Sequence, residues 1–190
     1  MNPPAIRFAP ELLLRAQGIK LALFDVDGVL TDGGLYMVEG GNDAAADVRE
    51  SIKRFHTLDG HGIKLLQKTG IAVAVVTGRD SQAVRARLTA LKVTHASFGN
   101  EDKLPVAEKI LDELGVAWPE VAMIGDDWPD LPLLSRCALA CAPPGAHVEV
   151  RAIAHHVTAA AAGHGAAREF CDLLLVASGR YEALLAQYLR

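Results

Sequence analysis

Alternating strand and helix signals predict an α/β fold, a doubly wound parallel sheet with helices on both faces. Residues 21–24, 71–76 and 121–124 are near-continuous apolar runs, as expected for strands covered on both sides. Segments with helical start and stop signals separate them. The three runs also end alike, in Asp25, in Thr77-Gly78-Arg79 and in Gly125-Asp126-Asp127. Ligands of open α/β sheets bind just beyond such strand ends.

Taken in order, residues 1–10 read as a loose arm, and residues 10–17 as a short helix stopped by Gly18. The strand over 21–24 follows. Residues 32–59 break the alternation: Gly33-Gly34, an apolar stretch at 35–38 and the glycine-rich turn 39–42 read as half of a hairpin flap. Residues 47–55 supply a poorly patterned return strand. A lone two-stranded hairpin is marginal, so the flap needs a partner surface, which another subunit could provide. A helix over 60–69 ends at Gly70. The strand 71–76 leads to a helix capped by Asp80 or Ser81 and running to residue 91. A weaker strand covers 93–98. Glu101-Asp102 open a helix over 103–114, with Pro105 tolerated in its first turn. The strand 121–124 precedes a short helix at 131–136. A fifth strand, 138–142, is halted by Pro143-Pro144-Gly145. Helices at 165–178 and 181–189 close the chain. The Rossmann-like whole reads as one domain over 1–190, with a flap near 33–58 and a C-terminal tail near 165–190.

Composition narrows the class. The chain has 190 residues, half of them hydrophobic, enough for a sizeable core. Its net charge of −4 argues against a nucleic-acid partner. No stretch has the length and apolarity of a membrane span, and the N-terminus lacks a signal-peptide core. Cys137, Cys141 and Cys171 lack zinc-site spacing and read as small core residues in a reducing compartment, so a cytoplasmic location is expected.

The chemistry is concentrated at the strand ends. Asp25 and Asp27 are two residues apart and can converge on one point. Gly28 permits the turn, and Thr31 offers a hydroxyl. Hard oxygen donors at one spot suggest Mg²⁺, and a carboxylate beside it can attack phosphorus to form an aspartyl-phosphate. Thr77 and the Gly78 amide can hold phosphate oxygens. Lys103 can balance charge, Asp126 can complete the metal shell, and Asp130 can hold a metal-bound water or Lys103. His56, His61 and His164 read as surface or supporting residues, and His155-His156 as an exposed pair. Trp118 and Trp128 read as packing residues, although Trp128 could line the pocket. Arg168 and Glu169 read as a structural ion pair.

The motifs DVDGVLT, VTGR, Lys103 and GDDWPD resemble, in content and order, the four motifs of the haloacid dehalogenase superfamily. No inserted domain separates Asp32 from Thr77 or Gly99 from Gly125, so the chain is similar to its capless branch. The stretches DVDGVLTDG, DGHGI from Asp59, VTGRDS, IGDDWPDLPLL and GHGAAREFCDLLL resemble the 3-deoxy-D-manno-octulosonate 8-phosphate phosphatases. The resemblance implies Asp25 as nucleophile and Asp27 as general acid/base. It implies Mg²⁺ on Asp25, Asp126 and the Asp27 carbonyl, with Thr77 and Lys103 as catalytic partners. Gly78, Arg79 and Thr31 are expected on the substrate side, with Arg79 on the sugar-acid carboxylate. It further implies a small phosphorylated sugar-acid substrate, lipopolysaccharide biosynthesis, and a homotetramer whose flaps cover neighbouring sites. Leu58 and His164 stand where that family commonly carries arginine, which keeps a nonulosonate 9-phosphate open as the substrate. A non-catalytic oligomerisation module, like the C-terminal domain of acylneuraminate cytidylyltransferases, is the alternative of a different class.

Overall fold

The computed structural model describes residues 5–38 and 49–189. Six parallel strands form the main sheet. In chain order they are β1 (Leu21–Phe24), β4 (Ala72–Val76), β5 (His95–Ser97), β6 (Val121–Ile124), β7 (Leu139–Ala142) and β8 (His156–Val157). Their spatial order is β5-β4-β1-β6-β7-β8. β1 lies at the centre, in register with β4 (Phe24 opposite Val75) and with β6 (Phe24 opposite Ile124). The polar residues after these three strands therefore emerge at one level.

Strand β1 shows how the apolar runs are used. Its side chains alternate between two cores. Ala22 and Phe24 pack with helices α2 (Thr57–Lys68) and α7 (Ala166–Ala177); Phe24 meets the Phe170 ring edge-on at 5.2 Å. Leu21 and Leu23 pack on the opposite face with α4 (Lys103–Leu114) and α5 (Leu131–Leu134). Both faces are thus buried, which is why no polar alternation marks the strand.

Five helices meet the sequence expectation closely: α1 (Pro10–Arg15), α3 (Gln82–Ala90), α4, α7 and α8 (Tyr181–Tyr188). In α4, Gly115 takes the left-handed conformation at the C-terminus, with φ of 63°. Helix α2 begins three residues before the expected Gly60. His56 caps it by accepting the Leu58 N–H, and both helical glycines serve close packing. A Cβ on Gly62 would sit 3.0 Å from the Cβ of Cys171 in α7, so a side chain there would force α7 to give way. Ser81 precedes α3 but its side chain makes no capping bond, and Asp80 instead grips Arg85 through both carboxylate oxygens at 2.7 Å.

Helix α6 (Val148–Ile153) and strand β8 have no counterpart in the sequence reading. Six-residue α6 buries only Val150, and two-residue β8 is too short for a period. They also bear on the expected exposed histidine pair: His155 is exposed as expected, whereas His156 is half-buried. His155 Nδ1 accepts the Ala140 N–H at 2.9 Å, and His156 in β8 meets Glu169 at 2.8 Å. The expected Arg168–Glu169 pair is also replaced. Arg168 pairs with Asp172, one helical turn on, and Glu169 accepts the Ala159 and Ala160 amides.

The hairpin consists of β2 (Tyr36–Val38) and β3 (Arg49–Ile52), antiparallel, with Tyr36 opposite Ile52. The glycine-rich turn expected at 39–42 lies outside the described residues. All three cysteines are buried and unpaired. Among the described residues no helix is long and apolar enough to cross a membrane.

Candidate active site

The tips of β1, β4 and β6, with the N-terminus of α4, enclose a cavity of about 190 Å³. Asp25, Asp27, Thr77, Gly78, Arg79, Lys103 and Asp126 all line it, beside Glu101, Asp127, Pro129 and Asp130. Of the expected site residues only Thr31 is absent from the lining. It is buried behind Asp27, its hydroxyl 3.2 Å from Asp27 Oδ1 and 3.3 Å from the Val26 carbonyl oxygen, and it accepts the Gly33 N–H. Thr31, expected on the substrate side, thus stands next to Asp27 and not in the lining itself.

Three buried charges form the floor. Lys103 Nζ donates to Asp25 Oδ1 and to Asp130 Oδ1, both at 2.7 Å. Asp130 uses its second oxygen to accept the Asp126 N–H at 3.0 Å. One carboxylate thus fixes both the lysine and the loop after β6. Gly125 makes this possible, because a Cβ there would fall 2.6 Å from Asp130 Oδ2. Gly28, at φ of 85°, brings its bare α-carbon against Asp126; a Cβ would lie 2.1 Å from Asp126 Oδ2.

Carboxylate oxygens of Asp25, Asp126 and Asp130 lie within 4.8 Å of one another. The crowding is visible in their acidity. Burial, then the charges of Asp25 and Asp130, push the Asp126 carboxyl up to about 8. Burial and Asp130 raise Asp25 to about 6, against the opposing pull of Lys103. Lys103 is held above the usual lysine range by Asp25 and Asp130, which outweigh its burial. Two raised acids sharing one point with a third are a donor set that gains from a divalent cation, and all-oxygen ligation suits a hard ion. Asp25 and Asp126 are placed to be its side-chain ligands, while Asp130 is occupied by Lys103 and the loop amides.

Above the floor, Thr77 is buried at the tip of β4, its Oγ1 3.3 Å from the Arg79 N–H. Arg79 itself is exposed at the rim. Trp128 lies outside the lining; its ring is exposed and its Nε1 donates to His147 Nδ1 at 2.9 Å. His56 and His164 sit together at 6.4 Å, His164 carrying Arg54 on Nε2 at 2.8 Å, and His61 packs against Tyr188. None of the three lines the cavity.

One residue escaped the sequence reading. Lys53, directly after β3, places a buried ammonium on Asp27 Oδ1. The available signal was the basic pair Lys53-Arg54 just before Phe55, in a stretch of poor strand pattern. Its partner depends on where the hairpin folds, shown here by the antiparallel bridge between Thr31 and Phe55.

Residues 97–170 match the haloacid dehalogenase-like hydrolase family, the class that this sheet and its acid–lysine floor define. Over 179 residues the chain is 37% identical to the 3-deoxy-D-manno-octulosonate 8-phosphate phosphatase KdsC of Salmonella typhimurium, spanning 94% of this chain and 91% of that protein. The crystal structure of a probable YrbI-family phosphatase from Pseudomonas syringae is similar at a TM-score of 0.88 and 45% identity, covering 96% of this chain and 99% of that one. The phosphatase from Moraxella catarrhalis, solved with a magnesium ion, a phosphate ion and KDO, gives a TM-score of 0.84 at 32% identity over 94% and 98% of the two chains. The chain belongs to the 3-deoxy-D-manno-octulosonate 8-phosphate phosphatase family.

Proposed function

We propose that this protein is a Mg²⁺-dependent phosphomonoesterase that hydrolyses 3-deoxy-D-manno-octulosonate 8-phosphate through a phosphorylated Asp25. The observation that carries the proposal is the floor itself: Lys103 bridging Asp25 and Asp130, with Asp126 crowded against them in a cavity that also exposes Thr77 and Gly78. A scaffold has no use for buried acids held this close, at an energetic cost. Such a cost is repaid where the chemistry is positioning plus charge stabilisation, as in phosphoryl transfer.

Asp25, Asp126 and the Asp27 carbonyl are assigned to hold the ion, whose role is to neutralise charge on the phosphoryl oxygens. The Thr77 hydroxyl and Gly78 N–H bind those oxygens, and the Lys103 ammonium balances the charge they bring. Asp25 attacks phosphorus as the ester bond breaks, and Asp27 gives the departing alkoxide its proton. Asp27 then takes a proton from water as that water cleaves the aspartyl-phosphate and frees Asp25. Thr31 supports Asp27 from behind, and Arg79 at the rim faces the sugar-acid carboxylate. Asp25→Asn is expected to abolish phosphate release from the octulosonate 8-phosphate in Mg²⁺; turnover equal to wild type would remove the nucleophile from the scheme.

A nonulosonate 9-phosphate is the second substrate to assay, because Leu58 and His164 replace the family's arginines and Arg54 instead brings a guanidinium to His164. Para-nitrophenyl phosphate with and without EDTA separates any phosphatase from a non-catalytic module.

The same reading extends to assembly and context. The chain is one hydrolase domain, since both cores share one sheet. It assembles as a homotetramer in which the flap of one subunit covers the site of the next. Exposed Leu35, Tyr36, Ile52 and Leu58 on and beside the hairpin support this, and light scattering tests it. Three buried thiols favour the cytoplasm, and lipopolysaccharide biosynthesis is the setting that such a substrate implies.

A further inference from the structure

The proton-transfer residue is itself unevenly bonded. Lys53 and Thr31 both approach Oδ1 of Asp27. Oδ2 of the same carboxyl is buried and has no hydrogen-bond partner among the described residues. A buried oxygen left without a partner costs on the order of 1–3 kcal/mol, so the asymmetry needs a reason. The Lys53 side chain is only 1% exposed, so its ammonium is also withdrawn from water, at a desolvation cost that only a fixed partner offsets.

We propose that Lys53 is a positioning residue for proton transfer: by occupying Oδ1 it locks the Asp27 carboxyl so that Oδ2 alone delivers and retrieves the proton. The inference rests on the reading of Asp25 as nucleophile and Asp27 as acid/base. In the first half-reaction a bond forms between an Asp25 oxygen and phosphorus, the ester P–O bond breaks, and the proton on Asp27 Oδ2 passes to the leaving oxygen. In the second, a water proton returns to Oδ2, the water oxygen bonds to phosphorus, and the P–O bond to Asp25 breaks. Oδ1 takes no part in either half, so two donors can hold it throughout. Lys53 directly follows β3, so the lock is also the point where the return strand of the hairpin is tied to the chemistry.

The test compares two leaving groups in single-turnover experiments. The octulosonate 8-phosphate releases an alkoxide that needs the proton; para-nitrophenyl phosphate releases a phenolate that leaves unaided. Lys53→Met is expected to slow the alkyl ester by about 100-fold, the low end of general-acid effects, and the aryl ester by less than about 5-fold. Lys53→Cys alkylated with 2-bromoethylamine rebuilds the ammonium one sulfur atom displaced, and is expected to recover the alkyl-ester rate. The three native thiols are buried, and alkylated wild type controls for them. Equal loss on both esters, or none on either, would overturn the positioning role. If Lys53→Met does not fold, the same ratio is read on Lys53→Gln. A wild-type enzyme without Asp25-dependent turnover of either ester would instead bring down the reading beneath it.

Discussion

The floor of the site and the hairpin beside it are built on opposite principles. Around Asp25, Lys103 and Asp130, charged side chains are buried, and their bonds of 2.7 Å are fixed by strands at the sheet centre. In the hairpin, apolar Tyr36 and Ile52 are exposed on two short strands. The floor places charge where water cannot reach it, whereas the hairpin leaves greasy surface in water. Each inversion is costly for an isolated chain. The floor recovers its cost within one subunit, through Lys103; the hairpin offers surface that a neighbouring copy would recover.

The contrast can be broken most sharply at Lys103. Lys103→Met should cut turnover by at least about 100-fold, as removal of one preorganised donor does, with steady-state kinetics as the readout. An effect below tenfold would mean that the ammonium is not part of the charge balance. Next comes Gly28→Ala, which puts a methyl into the Asp126 carboxylate at a positive φ. Mg²⁺ affinity, followed by the midpoint of metal activation, should weaken about 10–100-fold, as it does when residues supporting a metal ligand are lost.

Acidity gives a third measurement. In the folded, metal-free protein Asp126 keeps its proton to about pH 8 and Asp25 to about pH 6, whereas an unfolded chain releases both near pH 4. The folded state thus binds more protons, so this contribution to stability is fully present below about pH 4 and is lost as pH rises towards 8. His61 and His155, lowered by burial, act in the opposite sense below about pH 6.5. The clean comparison is therefore with Asp126→Asn in EDTA. Wild type should lose stability relative to the variant between about pH 6 and 8, and Mg²⁺ should restore it. A relative gain across that range would refute the crowding. The smallest effect belongs to the hairpin: Tyr36→Ser and Ile52→Ser should change monomer stability by no more than about 0.5 kcal/mol, while lowering the mass seen by light scattering.

The same contrast separates what the sequence made legible from what it hid. Asp25, Thr77 and Asp126 could be read because each ends an apolar run, and parallel pairing in register carries such ends to one level. Lys103 followed from the helix that it opens. Lys53 and the supporting placement of Thr31 could not be read. Both depend on hairpin register and on the Thr31–Phe55 bridge, contacts between residues far apart that no local period encodes. Helix α6 and strand β8 were hidden by brevity, and the Arg168–Asp172 pair by an equally plausible acid next door in Glu169.

Asp130 spends one oxygen on an ammonium and the other on the backbone that presents Asp126. A shift of that loop would loosen the lysine, and loss of the lysine would free the loop. Novelty in this scaffold is therefore channelled outward. Glu101, Arg79 and Pro129 border the opening without joining this knot, and the entrance can be remodelled for differently shaped sugars while the engine beneath it stays the same.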